Sequence, residues 1–184
     1  MLSLMQALKK IIVALQIFFE MEKHMIHDEI AMNNGVIFQH AYDILSEKMQ
    51  EGLVNKALGN SGTNNKANLD AALFVPAVVN CSFACELFLK AMLPQNTRGH
   101  KLNDLFVSLD ANIQESIKNK TIEKMKKYAQ TYCSADFQKD LTNNSNIFAE
   151  WRYFHEGNTN TVNCQFITNF MKATFDVVLE ERNK

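Results

Sequence analysis

The sequence predicts an all-α fold, a bundle of helices with no sheet. Three observations carry that expectation. Only two prolines and six glycines interrupt 184 residues, which leaves room for long helices and offers few of the breaks that short strands need. No stretch alternates apolar and polar residues long enough to read as a strand. Several segments repeat apolar residues at three- and four-residue intervals, the spacing of one helix face. The length suits one compact domain with a real core, and the apolar share of 47% is that of an ordinary globular protein.

The elements follow in order. Residues 3–26 read as an amphipathic helix. Its apolar run "IIVALQIFF" follows Lys9 and Lys10 but is too short to span a bilayer. It ends in Glu20, Glu22 and Lys23, without a small-residue cleavage site. Residues 1–27 are therefore expected to form a helical extension packed on the domain or on a partner, with no membrane contact and a cytoplasmic location. Residues 28–184 are expected to form the bundle. Within it, 28–56 read as a helix with Ile30, Val36, Ile37, Ala41, Ile44, Leu45 and Met49 at helical spacing, bent or frayed by Gly35. "GNSGTNNKAN", 59–68, is a polar run of turn formers, read as a disordered loop.

A third helix is expected over 69–93. Pro76 marks a kink in it or its true start, and Pro94 closes it. Residues 77–93 are apolar on most sides, which predicts a place at the centre of the bundle. Gly99 is expected to take a backbone angle that other residues avoid. A short helix follows at 101–109, then one at 112–132 with a basic solvent face around Lys124, Lys126 and Lys127. A compact helix is expected over 146–157, ended by Gly157. The last helix, 162–182, lines one side with Val162, Phe166, Ile167, Phe170, Thr174, Val177 and Val178.

Charge and cysteine usage narrow the function. A net charge of −1 gives no global attraction to nucleic acid or anionic lipid, so any RNA site is a local patch. Cys81, Cys85, Cys133 and Cys164 form no CxxC pair and read as small buried hydrophobes in a reducing compartment. No ligand spacing suggests zinc, so neither a metal nor a cofactor is expected. His24, His27 and His40 read as solvated or interface side chains.

One stretch conflicts with its surroundings. "NCSFACELFLKAML", 80–93, is nearly all apolar yet places Ser82, Glu86 and Lys90 on one i, i+4 ridge. On a surface such an ion pair is worth only about 0.2–0.5 kcal/mol. Facing the interior, it needs further partners, because burying a lone charge costs several kcal/mol. "EWRYFHEG" offers them: Arg152 and Glu156 share a helix face, with His155 close by. Arg152 is expected to act either as a clasp on Glu86 or as a phosphate ligand, since its planar fork suits both.

Three pieces, taken in order, resemble the HEPN family. "FACELFLKAML" is similar to that family's helix with a Glu followed four residues later by Lys. "RGHKLNDLF" resembles the next segment, in which a His, here His100, introduces a short helix with leucines at Leu102 and Leu105. "WRYFHE" resembles the later helix that carries the family's Arg motif. The resemblance spans about residues 36–180. It implies a bundle of four or five helices that commonly forms a homodimer. Some members of the family are metal-independent ribonucleases of bacterial defence or toxin–antitoxin systems. Others are non-catalytic companions of small nucleotidyltransferases, or ligand-binding modules.

On the ribonuclease reading, Arg152 would stabilise phosphate charge and His155 would take the proton of a ribose hydroxyl. Catalytic members separate those two residues by four to six others, whereas only Tyr153 and Phe154 intervene here. The spacing therefore favours a non-catalytic module that binds RNA, a nucleotide or a partner such as a nucleotidyltransferase or an antitoxin. Its polar cluster would comprise Glu86, Lys90, His100, Tyr153 and Glu156. A purely structural helical domain, with these charges only tying helices together, is the third alternative.

Overall fold

The computed structural model describes residues 26–58, 69–70, 72–153 and 161–184, and among them no strand occurs. The described helices are α1 (Glu29–Ala57), α2 (Phe74–Ala91), α3 (Leu102–Val107), α4 (Ala111–Lys126), α5 (Ser134–Asn143), α6 (Ile147–Arg152) and α7 (Cys164–Arg182). The all-α expectation holds. The helix expected at 3–26, the loop at 59–68 and the end of the 146–157 helix lie outside the described residues.

Helix α2 is the central element, as its sequence suggests, and packs on α1, α3, α6 and α7. Its apolar side chains face inward on several sides at once: Cys81, Ala84, Cys85, Phe88 and Leu89 are fully buried. Pro76 sits in the first turn, where its missing N–H costs nothing. It marks the start of the helix, so no kink is required.

Helix α1 opens on Asp28, whose Oδ1 accepts from the Ala31 N–H at 2.9 Å, a side-chain cap of the usual kind. The N–H groups of His27 and Asp28 donate to the carbonyl of Ala91, so α1 begins where α2 ends and the two run antiparallel. They approach closely. A Cβ on Gly35 would lie 2.6 Å from Phe88 Cε1 and 2.7 Å from Cδ1. Gly35 thus neither bends nor frays the helix; it admits the Phe88 ring.

The inward face of α1 differs from the expected one. Ala31, Met32, Gly35 and Gly52 are buried, with Phe38 and Tyr42 packed against the core. Ile30, Val36, Ile37 and Ile44 point outward and are exposed. Close helix approach selects small side chains for the contact, which turns the isoleucines away.

Helix α7 lies across α1, α2 and α4. Tyr42 and Thr168 share a hydrogen bond of 2.7 Å between their hydroxyls. Phe166, Ile167, Phe170, Thr174, Val177 and Val178 are all buried, as their spacing predicts, and Val162 is half-buried. Asn163 caps the helix, its Oδ1 accepting from Phe166 N–H at 3.1 Å. Lys120 meets Glu180 at 2.8 Å and Lys124 meets Asp176 at 2.9 Å, tying α4 antiparallel to α7.

Helix α5 has no counterpart in the sequence reading. Its first turn is fixed by Asp136, whose carboxylate accepts from both the backbone N–H and the thiol of Cys133. Cys133 is therefore an exposed capping residue, not a buried hydrophobe, while Cys81 and Cys85 are buried and Cys164 is half-buried. Tyr132, just before it, donates its hydroxyl to Asp140 Oδ2 at 2.9 Å.

Two predictions follow from this packing. Gly35→Ala should lose about 1–3 kcal/mol in urea unfolding through overpacking against Phe88, and the loss should shrink in a Phe88→Leu background. Burial, followed by the Asp140 carboxylate, pushes the Tyr132 phenol well up from its ordinary value. The fold thus favours the neutral phenol. That contribution is complete below the unfolded tyrosine value, about 10, and fades as pH rises above it. Urea midpoints should fall on going from about pH 8 to about pH 11, and less steeply for Tyr132→Phe.

Candidate functional site

The ridge of α2 that carries Ser82, Glu86 and Lys90 is buried for most of its length. Ser82 is satisfied within the helix, donating to Val79 O at 3.0 Å. Glu86 is 1% exposed. Its Oε1 accepts from Lys90 Nζ at 2.8 Å and bonds His100 Nδ1 at 2.9 Å, and its Oε2 is buried without a hydrogen-bond partner. Lys90 is largely covered, whereas the His100 side chain is 62% exposed.

The loop between α2 and α3 delivers His100. Pro94 follows the helix, and both Asn96 and Gly99 take positive φ, 68° and 105°. At Gly99 this is the unusual angle the sequence suggests. Nothing lies within 4 Å of a Cβ built there, so backbone geometry alone favours glycine. Beyond it, Leu102 N–H donates to Ser145 O at 2.8 Å and Asn103 N–H to Ser145 Oγ at 3.0 Å. The start of α3 is thereby held on the turn between α5 and α6.

The geometry fixes the imidazole. A carboxylate oxygen only accepts, so Nδ1 carries the proton shared with Glu86 and Nε2 of the neutral ring keeps its lone pair. The exposed part of the ring can then accept a proton or a hydrogen bond from a ligand. Lys90 places an ammonium on the same carboxylate oxygen, next to the imidazole.

Arg152 does not clasp Glu86. Helix α6 runs antiparallel to α2: Phe148 stacks on Phe83 at 4.6 Å, and Trp151 meets Phe74 edge-on at 5.3 Å. The C-terminal end of α6 is thus carried toward the start of α2, away from Glu86. The Arg152 guanidinium lies 5.1 Å from the Phe148 ring centre and 4.6 Å from that of Tyr153, and donates to the Tyr153 hydroxyl at 2.9 Å. Tyr153 is 45% exposed.

Phe148 nevertheless joins the two halves of the site. The His100 ring is 6.2 Å from it. Phe83 covers one face of Phe148, which leaves the other to Arg152. The separation of Arg152 from His100 cannot exceed the sum of their distances to that shared ring. The structure therefore brings Glu86, Lys90 and His100 into direct contact, while Arg152 shares with His100 only the Phe148 ring. His155 and Glu156 lie outside the described residues. From the sequence Phe148 reads as part of the apolar side of the Arg152 helix, four residues before that residue; its approach to His100 comes from the structure.

Beside Lys90 opens a cleft of about 250 Å³ lined also by Asn34, Asn96 and Thr97. Of the expected basic face, Lys124 is engaged by Asp176 of α7, while Lys126 and Lys127 are exposed. Among the described residues no group of three or more His, Cys, Asp or Glu side chains is placed to hold a metal ion. Comparison with protein families, curated proteins and solved structures returned no match.

Lys90→Met should destabilise the protein by about 3 kcal/mol, because it removes the cation from a buried carboxylate. Arg152→Ala, exposed and bonded only to its neighbour Tyr153 among the described residues, should cost under about 1 kcal/mol. Chemical denaturation of both variants checks the order; a larger loss for Arg152 would return that residue to Glu86.

Proposed function

We propose that this chain is an HEPN-like helical module that binds the phosphate of a nucleotide or of single-stranded RNA, and that it serves a bacterial system of the defence or toxin–antitoxin type. The observation that carries the reading is a buried cluster, Glu86 with Lys90 and His100, linked through the Phe148 ring to an exposed guanidinium, Arg152. Three features of that arrangement support it. Among the described residues Arg152 donates to the neutral Tyr153 hydroxyl, and a planar guanidinium fork suits a phosphate oxygen pair. Tyr153 is an exposed aromatic beside it, a surface on which a base can stack. Lys90, its ammonium shared with Glu86, lines a cleft wide enough for a small group, together with Asp28, Ile30, Asn34, Asn96 and Thr97.

The order of the three sequence pieces supports the family assignment. The "CELFLK" helix meets the His100 segment at Glu86, and the "WRYF" helix packs on the first half of the same helix. A binding measurement tests the reading. Labelled mixed-sequence RNA of about 12 nucleotides, in chelator, should bind the full chain with an affinity that falls as salt rises. Arg152→Ala should weaken binding at least tenfold and lower the salt slope by about 0.7, the value of one phosphate contact on a single strand. Salt-independent binding, or an Arg152→Ala variant that binds like the parent, would count against it.

A ribonuclease activity is the second reading, favoured by the Glu86–His100 hydrogen bond. A carboxylate that fixes the tautomer of an exposed imidazole is the arrangement a general base requires. His100 then takes the place first assigned to His155. Cleavage of RNA in chelator by the parent and not by His100→Ala would support it. An uncut substrate with intact binding leaves the chain a binding module.

A further inference from the structure

A second cleft lies between the end of α5 and the start of α7. Its volume is about 440 Å³, inside the range of small-molecule sites, about 300–1,000 Å³. One carboxylate, that of Asp140, lines it, and no lysine, arginine or histidine does. Among the described residues no lysine or arginine pairs with Asp140 from elsewhere. Asp140 is half-buried. The chain thus leaves a partly desolvated negative charge in the cleft without a cation to balance it.

The network behind Asp140 selects among cations. The Tyr132 hydroxyl donates to Oδ2 at 2.9 Å, and Asn163 Nδ2 donates to the same oxygen at 3.2 Å. The amide of Asn163 is oriented by its cap on Phe166 N–H. Asn144, 3% exposed, donates to Asp140 O at 2.7 Å and accepts from Asn163 N–H at 3.0 Å. Neutral groups therefore hold the carboxylate in place. One carboxylate oxygen offers about two acceptor sites, so Oδ2 is filled. Oδ1 takes no hydrogen bond among the described residues. A guanidinium fork binds both oxygens at once. An ammonium, with its donors on a single nitrogen, needs only one. Around the same cleft the side chains of Asn143, Thr161 and Gln165 are exposed and make no hydrogen bond among the described residues. Their carbonyl and hydroxyl oxygens are free to accept the remaining N–H groups.

We propose that this cleft binds the primary ammonium group of an alkyl amine, with Asp140 Oδ1 as the anionic acceptor and the amide and hydroxyl oxygens around it as neutral ones. Val162, also in the lining, offers apolar surface to the alkyl part. The site goes beyond the phosphate reading and shares none of its residues.

Calorimetric titration of the full chain with butylamine, which is protonated at about pH 7, should show one site per chain. Asp140→Asn should weaken binding at least about tenfold, the loss of a charge-assisted hydrogen bond. That variant also touches Tyr132, so a second one is needed. Asn143→Lys sets an ammonium of the chain's own at the cleft and should abolish binding with helix content and melting temperature unchanged. Tetramethylammonium, equally charged but without N–H donors, should not bind. No heat with butylamine overturns the site, as does binding that either variant retains or that tetramethylammonium matches. Binding of acetate in place of the amine assigns the cleft to the N–H groups at the start of α7 and also overturns it. Nα-acetyl-lysine amide that binds like butylamine supports the site and makes a lysine side chain its source; exclusion of that amide supports a free amine.

Discussion

A carboxylate lies inside the most apolar helix of the chain, and the structure around it follows from the need to satisfy it. Glu86 is 1% exposed, and an uncompensated charge at that depth would cost several kcal/mol. Its own helix supplies one partner, Lys90, at i+4. A second donor has to arrive from another part of the chain. That requirement accounts for the path after α2: Pro94 ends the helix, two residues with positive φ turn the backbone, and His100 reaches back to Oε1. The two bonds from Leu102 and Asn103 to Ser145 then keep the loop in place. One buried acid thus connects α2, the following loop, α3 and the turn before α6.

The same logic separates structural cations from available ones. On α4 two lysines face acids of α7 at matching spacing, Lys120 with Glu180 and Lys124 with Asp176. Exposed pairs of this type are each worth well under a kcal/mol, but they occupy the charge. At Arg152 the neighbours are aromatic rings and a hydroxyl. A guanidinium on a ring keeps its charge and most of its donors while its position is held.

How much of this was legible in the sequence differed by element, for physical reasons. Helices α2 and α7 were readable because their apolar residues exceed what one face needs, and Glu86 stood out against that background. Helix α5 was not readable: its only buried residues are Phe137 and Leu141, too few to make a period, and its cap is a cysteine with an aspartate three residues on. On α1 the helix was found, but Ile30, Val36, Ile37 and Ile44 turn outward while Ala41, Leu45 and Met49 are half-buried. Apolar spacing identifies a stripe but not what covers it, and here the tight contact with Phe88 selected Gly35 and Ala31. The proposed Glu86–Arg152 pair failed for a further reason. Both residues sit in i, i+4 charge patterns, but pairing also requires the two helices to overlap at the right level. The Phe148–Phe83 and Trp151–Phe74 stacks set α6 about two turns toward the start of α2.

The close contact with α1 and the buried carboxylate lie on different sides of α2. Phe88 and Glu86 are two residues apart and so point about 200° from each other around the helix axis. Phe88 faces Gly35 and the ring of Phe175, 5.1 Å away; Glu86 faces Lys90 and His100. Added volume at Gly35 must be accommodated by the Phe88 ring and its neighbours on α1 and α7, because that is where the atoms meet. The Glu86 carboxylate is held by two donors that belong to neither α1 nor α7. Repacking at the α1 contact can therefore change how tightly the bundle holds together while leaving the tautomer of His100 as Glu86 sets it. The converse holds as well: exchange of the acid alters what the imidazole can accept before it alters how α1 packs.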